Sequence, residues 1–279
     1  MIFKQTKCQI YNEEVNKTMI SILGCGWLGL PLATKLNSNY KIKGSTTSIE
    51  KINILKNKSI HPFLINIFQI DESIKKFLNS DILIINIPIT QNAELLKGFN
   101  TLKKNILKSR LEKIVFISST SVYEDKNEIT NEASPIDKGN INLKIEELLR
   151  SLPERFSVTI LRMAGLIGPN RHPGRFFANK KDNIPNGLNP VNLIHLDDCV
   201  EIITLIIDKN IWNETFNLCT PHHPSRKEFY CEATAQYCGK YPIFVEEKGQ
   251  WKTIDSSKII NTLDYNFKYD NLFEAIKHC

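Results

Sequence analysis

The stretch that decides the fold is MISILGCGWLG, residues 19–29, in which a short apolar run leads directly into glycines. Gly24, Gly26 and Gly29 stand at GxGxxG spacing, and a helical pattern follows them. The first glycine permits a tight turn, the second lets the backbone approach a pyrophosphate, and the third lets helix and strand pack closely. The stretch therefore predicts a strand, a dinucleotide-binding turn and a helix that starts near Trp27. The alternative is that the glycines serve only a tight turn.

Beyond this stretch, apolar β-branched runs alternate with segments of helical length. Runs such as ILIINI, residues 82–87, are apolar on both faces, as in parallel strands that helices cover on both sides. The pattern predicts an α/β fold with a Rossmann doubly wound parallel sheet. The predicted strands begin at residues 19, 40, 62, 81, 113 and 157, and the predicted helices span about 27–38, 49–57, 71–79, 91–108 and 140–152.

After about residue 165 this alternation stops in a segment rich in Gly, Pro and Asn. Regular pattern returns with the strand VNLIHL and the helix that follows it. We therefore predict three parts: an N-terminal extension (1–18), an NAD(P)-binding Rossmann domain (19–170, completed by about 190–210), and a smaller C-terminal α+β substrate-binding lobe (171–279).

Composition excludes several classes of function. The net charge of +6 comes from lysines spread along the chain, whereas a nucleic-acid surface usually needs clustered charge. The seven cysteines form no CxxC pair, so they indicate free thiols in a reducing compartment and predict no metal site. No apolar stretch approaches the roughly 20 residues of a membrane span. We predict a cytoplasmic protein that binds neither nucleic acid nor membrane, and leave its oligomeric state open.

The choice of cofactor is predicted from KGSTTSIEK, residues 43–51, at the end of the second strand. An acidic residue at the strand tip would accept hydrogen bonds from the ribose and repel a 2′-phosphate. Here Glu50 falls in the following helix, while hydroxyls that can donate to a phosphate lie in the turn. The pattern favours NADP, with NAD as the alternative. The predicted ligands in this turn are Ser45, Thr46 and Thr47.

Four motifs occur in order: GCGWLG (24–29), SSTSVY (118–123), LRMAGLIGP (161–169) and NLIHLDD (192–198). Together they resemble the extended short-chain dehydrogenase/reductase superfamily, the NAD-dependent epimerase/dehydratase family, over about residues 19–270. The resemblance implies hydride transfer between a nicotinamide dinucleotide and a small polar or sugar-like substrate. It also implies cofactor contacts from residues of these motifs and of the fourth strand's end. These are Cys25, Trp27, Leu28, Ile87, Pro88, Ser118 and Ala164.

In that superfamily a hydroxyl after the fifth strand bonds the substrate oxygen, and a YxxxK pair supplies an acid/base phenol and a lysine. The resemblance gives the hydroxyl role to Ser119 and the lysine position to Lys144, which leaves Asn140 at the tyrosine position. An amide cannot exchange a proton as a phenol does. Lys144 is expected to bind the ribose, the alternative being a solvated lysine. Tyr123 is the candidate substitute phenol, the alternative being a packing tyrosine.

Two residues are predicted to meet the substrate, namely Asn140 and Arg171. Arg171 lies in the loop after the strand at 157 and can pair with a phosphate or carboxylate, although a plain surface arginine is the alternative. The sequence therefore predicts an NADP-dependent oxidoreductase or epimerase that lacks the usual tyrosine. The second hypothesis is a sensor or scaffold that binds the dinucleotide without turnover.

Overall fold

The architecture is that of a large parallel sheet with helices on both faces. The computed structural model describes residues 17–90, 92–179 and 183–279, so the predicted N-terminal extension lies outside the described residues except for its last two. In chain order the strands are β1 Met19–Leu23, β2 Lys41–Thr46, β3 His61–Leu64, β4 Ile82–Ile85, β5 Lys113–Ser119, β6 Glu128–Thr130, β7 Ser157–Met163, β8 Gly165–Ile167, β9 Leu193–His195, β10 Thr215–Leu218 and β11 Lys252–Ile254.

Seven of these strands form the central sheet, in the order β10-β7-β5-β4-β1-β2-β3. All neighbouring pairs are parallel. The strand order reverses between β1 and β4, and in doubly wound sheets this reversal opens a crevice at the carboxyl ends of the strands. The predicted fold class, a Rossmann doubly wound parallel sheet, is confirmed.

Helices cover the two faces of the sheet and form two apolar cores. Against one face pack helices α1 (Gly29–Leu36) and α6 (Leu196–Asp208), with Leu32 and Ile203 completely buried. Against the other pack α3 (Ser73–Phe77), α4 (Ala93–Ile106) and α5 (Ile141–Arg150), with Phe99 and Leu149 almost completely buried. Each such side chain contributes about 1.5–3 kcal/mol to stability. The helices are α1 Gly29–Leu36, α2 Glu50–Asn57, α3 Ser73–Phe77, α4 Ala93–Ile106, α5 Ile141–Arg150, α6 Leu196–Asp208, α7 Arg226–Cys238, α8 Ser257–Leu263 and α9 Leu272–Ala275.

The carboxyl-terminal segments contribute to both the sheet and a smaller core. The strand predicted near residue 190 is β9, which pairs with β8 in a separate two-stranded sheet. The large sheet is instead completed by β10, beside β7. That residues of about 190–210 complete the Rossmann domain stays a prediction; the strand of this segment pairs with β8 and not with a strand of the large sheet. The helix of that segment, α6, does pack on α1.

The remaining elements build a compact layer beside the strand ends. Phe229 of α7 and Leu272 of α9 are buried together with Ile167 of β8. A capping box between Ser225 and Glu228 starts α7, which satisfies two amides that would otherwise lack partners. None of the helices in the described parts of the chain is long and apolar enough to cross a membrane.

Candidate functional site

A cleft of about 900 Å³ lies at the carboxyl ends of the strands, where the strand order reverses. This is the size of many small-molecule sites. Most of the residues predicted from the sequence line it. The predicted residues that it brings together are Gly24, Cys25, Gly26, Trp27, Leu28, Ser45, Thr46, Thr47, Ile87, Pro88, Ser118, Ser119, Ala164 and Arg171. The predicted residues outside the lining are Gly29, Tyr123, Asn140 and Lys144.

The glycine-rich loop is held in one geometry by close contacts. Gly24 has a φ of +102°, and a Cβ there would lie 2.3 Å from the Asn86 carbonyl oxygen. A Cβ on Gly29 would lie 2.1 Å from the Gly24 carbonyl oxygen. The amide of Gly24 donates to Ser45 Oγ at 2.9 Å, and Asn86 Nδ2 donates to the Gly24 oxygen at 3.0 Å. Side chains are therefore excluded at the first and third glycines by the protein itself.

Gly26 differs, because a Cβ there would meet no atom of the described residues within 4 Å, its two chain neighbours apart. It is exposed in the cleft lining, just before the start of α1, whose N-cap residue Leu28 makes no side-chain capping bond. Uncapped amides at a helix N-terminus attract phosphate groups. The residues present thus fit a dinucleotide pyrophosphate, which would fill the space that Gly26 leaves.

The neighbouring thiol of Cys25 takes no part as a nucleophile. Burial raises the pKa of Cys25 to about 12, and only the thiolate is reactive. Its backbone amide donates to the Ser45 oxygen at 2.8 Å, which joins the glycine loop to the end of β2. Cys25 therefore contributes to the shape of the loop.

At the end of β2 a lysine, rather than a carboxylate, faces the cleft. Thr47 and Lys51 line it, whereas Glu50 does not. Ser48 Oγ donates a hydrogen bond to the exposed Glu50 carboxylate, and this bond lowers the pKa of Glu50. Ser45 Oγ is already an acceptor for the glycine loop. Thr47 and Lys51 are exposed side chains of this part of the lining that can contact an additional phosphate.

A buried polar network lies beneath the end of β5. Ser118 Oγ donates to Glu146 Oε1 at 2.6 Å, and Arg162 donates to the same carboxylate from Nε at 3.1 Å and Nη2 at 2.6 Å. Arg162 Nη1 also donates to the Tyr123 hydroxyl at 2.9 Å, and that hydroxyl donates to Asn217 Oδ1 at 2.6 Å. Charge-assisted bonds of this kind hold their groups in fixed positions.

Tyr123 belongs to this network and does not reach the cleft. Its side chain is 2% exposed, and burial raises the pKa of its phenol. The placement agrees with the packing alternative for Tyr123. We therefore correct its predicted role as a substitute phenol, because both hydrogen-bonding capacities of the hydroxyl are used internally.

The helix expected to carry the YxxxK positions presents a different face. Asn140 is the N-cap of α5; its Oδ1 accepts from the Asn142 amide at 2.9 Å and its Nδ2 donates to the Ser121 oxygen at 2.8 Å. Asn142 lines the cleft, whereas Lys144 is exposed outside it. Two residues correspond to a rotation of about 200° around a helix. Lys144 therefore faces away, and the predicted sites at Asn140 and Lys144 are corrected to Asn142.

If Asn142 is placed at the lysine position of a YxxxK pair, the tyrosine position falls on Lys138, an exposed residue in the turn before α5. Glu146 lies one turn beyond Asn142, and its carboxylate already accepts hydrogen bonds from Ser118 and Arg162. The face of α5 that points to β5 therefore carries an amide and a paired carboxylate. Neither group can act as the phenol and lysine of the usual pair.

Ser119 is placed as predicted, at the end of β5 in the cleft lining. Its Oγ accepts from the Ser121 amide at 3.1 Å, so its hydroxyl proton is free to donate. Thr120 and Ser121 continue the lining in a short 3₁₀ turn. The segment presents several hydroxyls to the same part of the cleft.

Arg171 and Trp27 contact each other in the cleft lining. The guanidinium lies over the indole ring, 5.2 Å from its centroid, and the indole Nε1 donates to the Pro169 oxygen at 2.7 Å. The buried Nε of Arg171 has no hydrogen-bond partner within the described ranges. Burial lowers the pKa of Arg171, although an arginine stays charged at neutral pH. An unpaired guanidinium so placed can bind a phosphate or carboxylate.

Lys252 is a cleft residue that sequence reasoning missed. It belongs to β11, and its Nζ donates to the Tyr123 oxygen at 3.0 Å and to Asp125 Oδ1 at 2.6 Å. No motif surrounds it in the sequence, and its partners are more than a hundred residues away. Asn86 was also missed; its place directly after the apolar run of β4 is the signal that could have found it.

His195, in the NLIHLDD motif, has a structural role. Its Nδ1 accepts from the Asp197 amide at 3.2 Å as the N-cap of α6, and its Nε2 lies 3.3 Å from the His278 oxygen. Burial lowers its pKa, so the neutral ring is favoured. Across residues 17–90, 92–179 and 183–279, no group of His, Cys, Asp or Glu side chains is arranged to hold a metal ion.

Comparison with known proteins finds a relative in sequence and similar folds among solved structures. Protein YeeZ of Escherichia coli strain K12 is 33% identical over 265 residues, which cover 90% of this chain and 96% of YeeZ. No family model matches the chain. Among solved structures, UDP-glucuronic acid 4-epimerase from Bacillus cereus, in complex with NAD, superposes with a TM-score of 0.76 at 20% identity, covering 93% of this chain and 94% of the epimerase.

A second solved structure agrees with the first. UDP-glucose 4-epimerase from Thermotoga maritima, with UDP-glucose, superposes with a TM-score of 0.75 at 18% identity, covering 93% of this chain and 96% of that enzyme. At such identities the likeness establishes a shared fold over nearly the whole length of both chains.

Proposed function

The chain belongs to the same family as protein YeeZ, and from that premise we propose that it is a member of the extended short-chain dehydrogenase/reductase superfamily. We propose further that it binds a nicotinamide dinucleotide and moves hydride between this cofactor and a small polar or sugar-like substrate. The observation that carries this proposal is the open position at Gly26 beside the uncapped start of α1. No contact within the described part of the chain requires a glycine at position 26. The close approach of a phosphate to the backbone is the physical reason for one there.

We propose that the cofactor is NADP. Lys51 and Thr47 face the cleft at the end of β2, and Glu50 is directed to Ser48. Solved relatives in complex with NAD support a nicotinamide dinucleotide without deciding between the two. A 2′-phosphate would be attracted by the Lys51 ammonium, whereas an acidic residue would repel it.

The cofactor is tested by titration calorimetry with NADP and NAD on the wild type and Lys51→Gln. An exposed ion pair contributes up to about 1 kcal/mol, so the Kd for NADP should rise about fivefold while that for NAD stays unchanged. Lys56→Gln is the matched control, since Lys56 is an exposed lysine of the same helix outside the cleft. Tighter binding of NAD than NADP by the wild type would refute the assignment.

In the proposed reaction a bound nicotinamide supplies or accepts the hydride. Ser119 Oγ donates a hydrogen bond to the reacting oxygen of the substrate, and Asn142, which replaces Lys144 in this role, accepts one from the ribose. Arg171 binds an anionic group of the substrate. The carboxyl-terminal segments, residues 171–279, supply the substrate-binding lobe. These roles fit the observed positions of all three side chains in the cleft lining.

The second candidate is a dinucleotide-binding sensor or scaffold. It is favoured by one observation, that no phenol, imidazole or carboxylate occurs among the described residues of the cleft lining. Loss of NADPH absorbance on mixing the protein with a panel of aldehydes and keto sugars would establish turnover. Tight NADP binding with no turnover on any substrate would favour the sensor.

We also propose a cytoplasmic location. All six cysteines in the described parts of the chain are free, which fits a reducing compartment. Expression as a fusion with a fluorescent protein and fractionation of the cells would test it. Recovery of the fusion outside the cytoplasm would refute it.

A further inference from the structure

Four side chains that line the cleft within the described ranges are ionisable: Cys25, Lys51, Arg171 and Lys252. The thiol of Cys25 is buried, with a pKa of about 12, and Lys51 lies at the end of β2. A guanidinium does not give up its proton in proteins. Lys252 is therefore the group able to exchange a proton near the hydroxyls of the segment after β5.

The position of Lys252 fits this task. Its Nζ donates to the Tyr123 carbonyl oxygen, four residues beyond Ser119, so its ammonium lies at the far end of the segment that carries the Ser119 hydroxyl. An ammonium has three donors. Two of them go to Tyr123 and Asp125, and the described residues offer no partner for the third. The side chain is 15% exposed, so it is largely removed from water.

The backbone of Lys252 is also fixed. It pairs with Glu128 in the two-stranded sheet of β6 and β11, and its carbonyl oxygen accepts from Asn192 Nδ2 at 2.8 Å. Asn192 Oδ1 in turn accepts from the Ile254 amide at 2.9 Å. Groups held on rigid elements keep the geometry that proton transfer requires.

We propose that Lys252 is the catalytic acid and base of the reaction, in place of the phenol that this chain lacks. The inference rests on the proposed function. In the direction of reduction, the carbonyl carbon gains a hydride and the π electrons of the C=O bond move to the oxygen. An N–H bond of Lys252 Nζ breaks, an O–H bond forms, and the neutral amine then takes a proton from water. In the direction of oxidation the Lys252 ammonium first gives a proton to water. The neutral amine then takes the proton of the substrate hydroxyl, and the C–H bond of the carbinol carbon breaks as its hydride passes to the dinucleotide of the proposed function.

The test uses Lys252→Gln, Lys252→Arg and Lys252→Ala in the full chain, assayed with NADPH and whichever aldehyde or keto sugar the wild type reduces. Proton transfer by a positioned group contributes about 10²–10⁴-fold. We expect kcat to fall by this factor in all three variants while KM changes little. Lys252→Arg keeps the positive charge but cannot release the proton. Added ethylamine should restore part of the activity of Lys252→Ala and should not affect the wild type.

Lys258→Gln is the matched control. Lys258 Nζ donates to one carboxylate, of Glu214 at 2.7 Å, and to one carbonyl, of Thr215 at 2.9 Å, but lies outside the cleft. The Lys258→Gln variant should lose as much thermal stability as Lys252→Gln but should keep the kcat of the wild type. Two readouts need no turnover: calorimetry should give an unchanged Kd for NADP in Lys252→Gln, and NADP should slow acetylation of Lys252, but not of Lys258, by acetic anhydride.

Different outcomes overturn different parts. A wild type that reduces nothing would overturn the proposed function and this assignment together. A wild type that turns over, with Lys252→Arg retaining its kcat, would overturn the role of Lys252 alone. If Lys252→Arg is fully active and Lys138→Gln loses activity, the proton donor would be Lys138, in the turn before α5, and the role of Lys252 would be refuted. Equal loss in Lys258→Gln would reduce Lys252 to a structural lysine.

Discussion

Replacing Gly26 by alanine should abolish most cofactor binding without destabilising the fold. Among the described residues the added Cβ meets no atom within 4 Å beyond its two chain neighbours, and Gly26 does not have a positive φ. We expect the free energy of unfolding to change by at most about 1 kcal/mol, because alanine lowers the entropy of the unfolded chain. The methyl group would occupy the place of the pyrophosphate. Loss of one hydrogen bond to a charged group costs about 1.5–3 kcal/mol, or about 10- to 150-fold in Kd.

Gly29→Ala is the matched variant with the opposite expected result. Its Cβ would lie 2.1 Å from the Gly24 oxygen and 2.8 Å from Asn86 Nδ2. Overpacking of this kind costs about 1–3 kcal/mol. Gly29→Ala should therefore lower the free energy of unfolding, although Gly29 does not line the cleft.

The two variants are compared by urea unfolding and by calorimetry with NADP and NAD. The expected pattern is a stable Gly26→Ala that binds weakly and a destabilised Gly29→Ala. Wild-type affinity in Gly26→Ala would refute the placement of the pyrophosphate. Early unfolding of Gly26→Ala would instead show that the open space around this glycine is needed by the protein itself.

Buried groups give three further expectations. Arg162→Met leaves the Glu146 carboxylate without its main partner, so the free energy of unfolding in urea should fall by about 3–5 kcal/mol. If the losses in Arg162→Met and Glu146→Gln simply add in the double variant, the two side chains are not coupled and the expectation is refuted. Burial lowers the pKa of His195, so the folded chain binds fewer protons than the unfolded chain below about pH 6.5, and stability should fall as the pH drops. His195→Asn should weaken this decline between about pH 7 and 5, and an unchanged decline would refute it. Iodoacetamide at about pH 8 should modify the exposed Cys238 and spare Cys25, because the pKa of Cys25 is about 12; mass spectrometry of peptides checks this, and rapid labelling of Cys25 would contradict it.

The order of strands and helices could be predicted because each signal is local. Strands covered on both faces are apolar throughout, as in β4, and Gly24, Gly26 and Gly29 mark the turn between β1 and α1. The place of Ser119 in the cleft lining could be predicted for the same reason, since it follows from the end of β5.

The face of α5 could not be predicted in this way. Asn140 and Asn142 are two residues apart in a segment where several starts are compatible with the pattern, and the choice depends on the bonds of Asn140 to Ser121 and to the Asn142 amide. A shift of two residues turns a helix face almost completely around. The motif resemblance therefore indicates a helix that borders the cleft, but not which of its side chains line the cleft.

Lys252 lay beyond prediction because only tertiary pairing brings it to the cleft. The pairing of β6 with β11 is accompanied by a bond from the Trp251 amide to Asn127 Oδ1 across 124 residues. Closing a flexible loop of that length costs ~4 kcal/mol of chain entropy. No local pattern in the sequence reports such a contact.

The pairing of β6 with β11 also affects the order of events during synthesis of the chain. During synthesis the amino-terminal half can assemble β1 to β5, with the glycine-rich loop, long before β11 exists. We expect an incomplete chain to retain dinucleotide as it emerges, because its binding loop is already whole. Lys252, the proposed acid and base, is synthesised much later, so we expect catalysis only after β11 has formed.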